Sequence, residues 1–151
     1  MAVVDVDNRS TVAVDEDALV EQAQFLLGRL GLHPEAELCI SLVDAGEIAD
    51  LNVTWMDEPG PTDVLSFPMD ELRVPGPGEP GEPGVLGDVV ICPQVAAAQA
   101  ESAGHGTPQE LELLLTHGIL HLLGHDHAEP EEHAVMFGLQ DALLAEWRSR
   151  S

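Results

Sequence analysis

The chain has 151 residues, with 28 acidic and five basic side chains, all five of them Arg, and a formal net charge of −23. This charge repels polyanions at long range and counts against free nucleic-acid binding through a basic surface. The simplest interpretation of this net charge is an acidic surface exposed to solvent. The length fits one domain, and an apolar fraction of 44% is ordinary for a globular protein.

Neither secretion nor membrane insertion is indicated. The start "MAVVDVDNRS" has acids where a signal peptide needs basic residues, and no apolar run approaches membrane-spanning length. Cys39 and Cys92 lie in separate strand-like runs, which favours buried thiols over a disulfide. These features predict a cytoplasmic protein.

The first half of the chain alternates strand and helix patterns. "AVVDVD" and "AELCISLVD" are predicted strands, and Asp15 is the predicted N-cap of the helix between them. Asp44 and Glu47 are spaced as a capping box for a short helix, "AGEIADLNVTW". A turn and the short strand "DVLSF" follow.

The second half holds one more strand and three helices. Residues 74–84, "VPGPGEPGEPG", are predicted to form a mobile surface loop, and "VLGDVVIC" a central strand. Pro93 begins the next helix. Thr107 and Glu110 are spaced as a capping box for the helix that ends at a glycine, and Pro130 begins the last helix.

These elements occur in the order β-α-β-α-β-β-α-α-α. Such mixing predicts an α+β fold, with a small mixed four-stranded sheet and about five helices packed on it. No linker divides the chain, so residues 1–151 are expected to form a single domain.

The stretch "HGILHLLGHDH" contains four of the seven histidines. His117 and His121 are four residues apart and project from one helix face, so both can reach a single metal ion. Gly124 is suited to the left-handed turn that ends a helix, after which His127 can return to the same ion. This geometry does not require His125 as a ligand.

Three histidine ligands leave one tetrahedral position open, which is the arrangement of catalytic sites. The sequence therefore predicts one Zn²⁺ per chain at His117, His121 and His127, although other first-row metals also suit such ligands. The ion would act on substrate or water at the open position.

The spacing H-x3-H-x2-G-x2-H is shared with metzincin proteases. Those enzymes carry a Glu directly after the first histidine as general base, whereas this chain has Gly118. A metallopeptidase is therefore the weaker alternative, since loss of the base removes a factor of about 10²–10⁴ in rate.

Three segments together, "THGILHLLGHDH", "GPTDVLSFP" and "LGDVVICPQVA", resemble the YbeY family of bacterial rRNA-maturation endoribonucleases in order and spacing. With "LN" at Leu51–Asn52 and "MFGLQDALL" in the last helix, the resemblance covers most of the chain. It implies a metal-dependent, single-strand-specific endoribonuclease that matures the 3′ end of 16S rRNA and serves ribosome quality control. It also assigns the zinc ligands to His117, His121 and His127.

One position departs from the family. Many members resemble Y-R-x-K-x-x-P-T before the "DVLSFP" strand, with an Arg that contacts RNA, and this chain has Met56 in its place. Arg73 is the nearest basic residue in sequence, and it can substitute only if the loop folds over the site. A non-enzymatic ribosome-assembly factor with a structural metal is therefore a further alternative.

Other residues are candidates for further roles at the site. Asp126 and Asp88 are candidates for orienting a ligand or a water at the metal. Thr62 and Ser66 can bind phosphate, and the aromatic residues before and within "DVLSFP", Trp55 and Phe67, can stack bases. Either a water-derived hydroxide or the ribose 2′-OH can be the nucleophile. The partners implied are rRNA and the small ribosomal subunit, reached through ribosomal or assembly proteins because of the acidic charge, with no DNA and no membrane.

Overall fold

The computed structural model describes residues 2–126 and 128–150, and this part of the chain forms one four-stranded sheet and five helices. The strands are β1 (Val3–Asn8), β2 (Glu37–Leu42), β3 (Val64–Pro68) and β4 (Val85–Ile91); the helices are α1 (Glu16–Arg29), α2 (Ala45–Met56), α3 (Pro93–Ala103), α4 (Thr107–Leu122) and α5 (Pro130–Ser149). The predicted order of elements and the α+β class are confirmed.

The sheet has the strand order β1-β2-β4-β3. β1 and β4 run parallel to β2, whereas β3 runs antiparallel to β4. β4 is therefore an interior strand, as its apolar sequence predicted, and Leu86, Val89 and Ile91 are fully buried. The mixed sheet is confirmed.

Two apolar clusters cover the two faces of the sheet. The larger one joins α1, α4 and α5 to the face that contains Ile40, Val89 and Ile91. A smaller one on the opposite face contains Leu65 and Val90 together with Ile48 of α2. The helix that carries the predicted metal ligands therefore lies on the face with the larger core.

Helix α4 approaches the sheet closely at Gly118. A Cβ atom there would lie 2.7 Å from Cγ1 of Val89, closer than real Cβ contacts allow. The hydroxyl of Ser66 donates a hydrogen bond of 3.0 Å to the Gly118 carbonyl oxygen. This contact holds α4 on β3 and β4, and it commits Ser66 to the backbone rather than to a substrate phosphate.

The predicted cap of α1 is confirmed, because the Asp15 side chain accepts a hydrogen bond from a backbone N–H in the first turn. The capping box of α2 is wrong. Asp44 is the N-cap, but its carboxylate accepts hydrogen bonds from the backbone N–H and the hydroxyl of Thr11. Glu47 pairs with Arg9 instead of reaching back to the cap. Contacts with the β1–α1 loop have replaced the local ones.

The capping box of α4 is also wrong. Gly106 is the N-cap, Thr107 is the first helical residue, and no side chain in the described part of the chain caps this end. Glu110 is buried and lies 2.7 Å from Nε2 of His105. The Glu110 carboxylate, which the capping box required at the N-cap, therefore pairs with a histidine that precedes the helix.

Residues 74–84 contain no helix or strand, in agreement with the predicted loop. Gly81 packs against the segment after α1, where a Cβ atom would lie 2.8 Å from the backbone N of His33. Both cysteines are free; Cys92 is buried, and Cys39 is only partly buried. None of the helices in the described residues is long and apolar enough to cross a membrane.

Candidate metal centre and adjoining cavity

His117 and His121 meet on one face of α4. Their Nε2 atoms are 3.1 Å apart, and the rings are steeply inclined, with centroids 4.6 Å apart. The predicted helix spacing of four residues produces this approach directly. Both side chains are partly buried, so the two nitrogens converge at the edge of the core.

The distance between the two nitrogens fits a shared metal ion. Nitrogen ligands about 2.0–2.1 Å from a tetrahedral metal are about 3.3 Å apart, close to the observed separation. Two imidazoles without a thiolate suit Zn²⁺ and other first-row metals. The donor set in the described residues therefore fits the ion that the sequence predicted.

Gln140 of α5 fixes the tautomer of the first histidine. Its Oε1 lies 2.8 Å from Nδ1 of His117. A carbonyl oxygen only accepts hydrogen bonds, so Nδ1 carries the ring proton and the lone pair is on Nε2, as metal ligation requires. Gln140 was not predicted from the sequence as a site residue. The available signal was a single amide within the buried stripe of α5, between Met136 and Leu143.

Aromatic packing also restrains the His117 ring. Phe137 contacts it with ring centroids 5.6 Å apart, and His133 stacks on Phe137 with centroids 4.3 Å apart. The rings of His133, Phe137 and His117 thus form a continuous row from the exposed face of α5 to the histidine pair. This packing limits rotation of the ligand side chain.

The predicted glycine turn ends α4. Gly124 adopts φ +94°, its N–H donates to the carbonyl oxygen of His121, and the N–H of His125 donates to that of Leu120. This is the Schellman arrangement, which satisfies carbonyl groups at the helix end and reverses the chain. His127, the third predicted ligand, lies outside the described residues.

Within residues 2–126 and 128–150, no group of three or more His, Cys, Asp or Glu side chains is arranged to hold a metal ion. That part of the chain contains two of the three predicted ligands, His117 and His121, whose Nε2 atoms are 3.1 Å apart.

The two carboxylates proposed to assist the metal lie in different places. Asp126 is exposed and lines a surface cleft with His125 beside the end of α4. Asp88 pairs in register with Phe67 and with Cys39, on the sheet face opposite Gly118. The structure therefore does not bring Asp88 to the histidine pair.

The surroundings of Asp88 instead affect a thiol. Burial raises the pKa of Cys39, and the negative charges of Asp88, Asp5 and Asp7 raise it further. A hydrogen bond with Ser41 acts in the opposite direction. Asp88 belongs to this acidic row across the sheet.

A cavity of about 520 Å³ opens beside the histidine pair. It is lined by residues 121–125, which include His121 and His125, and by Pro68 and residues 71–74, which include Glu71 and Arg73. The volume is within the range of small-ligand pockets. The cavity gives a substrate a way of approaching the histidines from the segment that follows β3.

The remaining candidates lie on or near the other sheet face. The Thr62 hydroxyl donates to the carboxylate of the adjacent Asp63, which is the behaviour of a turn residue. Trp55 is 66% exposed and meets the ring of Phe67 edge-on. Met56, at the end of α2, is also exposed. Trp55 thus keeps a free aromatic surface, while Phe67 packs against the smaller core cluster.

The fold and the site define a small α+β protein with a helix-borne histidine pair beside an open cavity. The family model described as Endoribonuclease YbeY matches residues 5–148. The chain belongs to the YbeY family.

Curated relatives and a solved structure agree with this assignment. The protein named Endoribonuclease YbeY from Thermobifida fusca is 63% identical over 145 residues, which cover 96% of this chain and 94% of the relative. The protein of the same name from a Nocardioides species is 58% identical over 147 residues, which cover 97% of this chain and 99% of the relative. The solution structure of a Thermotoga maritima protein superposes with a TM-score of 0.63 at 26% identity, covering 99% of this chain and 93% of that one.

Proposed function

We propose that this protein is a metal-dependent endoribonuclease that cuts single-stranded rRNA, chiefly to mature the 3′ end of 16S rRNA, and that it serves ribosome quality control. The observation that carries the proposal is the convergence of the His117 and His121 Nε2 atoms, 3.1 Å apart, in a member of a family named for endoribonuclease activity. The names of the curated relatives support the class of substrate.

One Zn²⁺ per chain is proposed to be held by His117, His121 and His127, with residues 1–151 acting as a single hydrolase domain. The Nε2 atoms of His117 and His121 have the separation that the ion requires, and His117 also has the required tautomer. When bound, the metal would supply Lewis acidity, which polarises a phosphoryl oxygen and makes water more acidic.

The protein's own residues position that chemistry. Gln140 keeps the ring proton of His117 on Nδ1, and Phe137 restrains the same ring, so Nε2 stays directed toward the second histidine. The cavity beside His121 is the proposed entrance for the RNA chain. Asp126, next to the third ligand in sequence, is proposed to orient that imidazole or a water molecule.

The acidic composition bears on where the enzyme works. A net charge of −23 repels free RNA, so docking on the small ribosomal subunit through ribosomal or assembly proteins is proposed to precede cleavage. The protein is accordingly proposed to act in the cytoplasm.

The contact at Gly118 weighs against a metallopeptidase. A glutamate in that position would project into Val89 and Ser66 of the sheet, rather than into the space in front of the histidine nitrogens. A general base for peptide cleavage therefore has no room directly after His117 in this packing.

The test combines metal analysis with RNA processing. The wild-type protein, His121→Ala and the control His33→Ala, which alters a histidine in the loop after α1, are purified and their metal content is measured by mass spectrometry. The same variants are expressed in cells, and the 3′ ends of 16S rRNA are mapped. The proposal expects loss of both metal and processing in His121→Ala alone.

Two other outcomes would overturn parts of the proposal. Metal loss with normal processing in His121→Ala would indicate that the protein is an assembly factor whose metal only supports the fold. Normal processing by a wild-type protein without bound metal would reject metal dependence. The product ends identify the nucleophile, since a 2′,3′-cyclic phosphate forms only when the ribose 2′-OH attacks phosphorus.

A further inference from the structure

We propose that Arg73 binds a phosphate group of the RNA chain in the cavity beside the histidine pair. This inference rests on the proposed endoribonuclease function and adds a substrate-binding residue to it.

Among the residues that the structure describes, Arg73 differs from the other arginines in having no partner. All five arginines lie within the described residues, and the other four are engaged by neighbours: Arg9 by Asp7 and Glu47, Arg29 by Glu146, Arg148 by Glu112, and Arg150 by the ring and carbonyl oxygen of Trp147. Among the described residues, Arg73 alone of the five forms no hydrogen bond, ion pair or ring contact. Its guanidinium is therefore available to a ligand.

The position of Arg73 brings this available charge to the candidate site. It lines the cavity of about 520 Å³ that His121 and His125 also line. A phosphate that enters this cavity therefore has both Arg73 and His121 among the residues around it. In a chain with 28 acidic residues, this is a local positive charge that can offset the general repulsion.

The backbone around Arg73 is held in place, so its position does not depend on a loose loop. The N–H of Asp70 donates to the carbonyl oxygen of Val85, and the Asp70 carboxylate accepts the N–H of Val85 at 2.7 Å. Leu72, directly before Arg73, is buried in the larger core. These contacts fix the start of the loop at the rim of the cavity.

Acidic side chains make one route to Arg73 unfavourable for RNA. A second cavity on the side of the loop is lined by Arg73 together with Glu71, Glu79 and Glu82. Their charges repel a phosphate from that side. None of them pairs with Arg73 in the described residues, so the guanidinium is not neutralised. Of these three acids, only Glu71 also lines the cavity that the histidines line, so that cavity is the more favourable approach for a phosphate.

A guanidinium suits this role chemically. Its planar N–H groups can donate two parallel hydrogen bonds to the non-bridging oxygens of a phosphodiester, and it stays charged at any pH the protein tolerates. Loss of one charge-assisted contact of this kind corresponds to roughly a tenfold to hundredfold drop in kcat/KM.

The experiment compares two neutralised arginines in the full-length protein. Arg73→Gln and the control Arg29→Gln change the net charge equally, and Arg29 lies on α1 in an exposed ion pair with Glu146. A single-stranded oligoribonucleotide from the 3′ end of precursor 16S rRNA is the cleavage substrate. Circular dichroism checks the fold, and Arg73→Lys tests whether charge alone suffices.

A second readout does not depend on cleavage. Phenylglyoxal modifies accessible arginines, and peptide mass spectrometry measures how far the same oligoribonucleotide protects Arg73. We expect a loss of roughly tenfold or more in Arg73→Gln, partial recovery in Arg73→Lys, near wild-type cleavage in Arg29→Gln, and protection of Arg73 in the wild type.

The outcomes separate the two proposals. If the wild type cleaves RNA but Arg73→Gln matches Arg29→Gln and Arg73 is not protected, the assignment of Arg73 is overturned and the nuclease function stands. If the wild type loaded with Zn²⁺ cleaves neither the free oligoribonucleotide nor precursor 16S rRNA in small-subunit particles, while Arg73 is still protected, the nuclease function fails and the phosphate site stands.

Discussion

Nδ1 of His117 lies 2.8 Å from Oε1 of Gln140, across the contact between α4 and α5. The two residues are 23 positions apart in sequence. One hydrogen bond thus decides which nitrogen of a proposed metal ligand carries the proton. It also ties the last helix of the chain to the chemistry of α4.

Gln140→Leu is expected to weaken metal binding by about 10–100-fold, because the side chain keeps its volume but no longer accepts the Nδ1 proton. The measurement is competition for Zn²⁺ against a chromophoric chelator. Gln140→Glu is the matched control, since a carboxylate accepts the same hydrogen bond. Wild-type affinity in Gln140→Leu would contradict the orienting role.

Gly118→Ala is expected to lower the free energy of unfolding by about 1–3 kcal/mol, because the new methyl group overlaps Val89 in a packed core. Gly138→Ala is the control. That glycine lies in α5, and its added methyl group would meet no atom within 4 Å, so the substitution should stabilise the helix by about 0.5–1 kcal/mol. Urea denaturation measures both, and equal effects would argue against close packing at Gly118.

Asp88→Asn is expected to increase the rate at which iodoacetamide alkylates Cys39 near neutral pH. Burial is the main reason that the pKa of this thiol is raised, and the charge of Asp88 adds to it. Removing that charge lowers the pKa, so more thiolate is present at a given pH. Asp17→Asn, on the exposed first turn of α1, is the control. An unchanged rate in Asp88→Asn would contradict the placement of Asp88 beside Cys39.

Salt is expected to help, rather than hinder, the encounter of the purified protein with short single-stranded RNA. Raising the ionic strength from about 0.01 M to 0.15 M shortens the screening length from about 30 Å to 8 Å and weakens the repulsion by the net charge of −23. Cleavage of the same sequence within small-subunit particles should be faster than cleavage of the free oligonucleotide. Tight binding of free RNA at low salt would contradict this expectation.

The order of strands and helices was predictable because it depends on local patterns. Apolar periodicity and the Pro and Gly positions located all the elements, and the αL turn at Gly124 was expected from a single residue type. The capping boxes at Asp44 and Thr107 failed for a physical reason. Their carboxylates found partners outside the local turn, in Thr11, Arg9 and His105, and no short-range rule includes such contacts.

The sequence by itself determined the histidine pair, because a spacing of four residues on a helix brings His117 and His121 together whatever surrounds them. It also indicated the YbeY family. Only the tertiary structure decided that Gln140 orients the first ring, that Asp88 lies on the other face of the sheet, and that Arg73 lines the histidine cavity. Those relationships join residues far apart in the chain, and they depend on how helices and strands pack rather than on any local spacing.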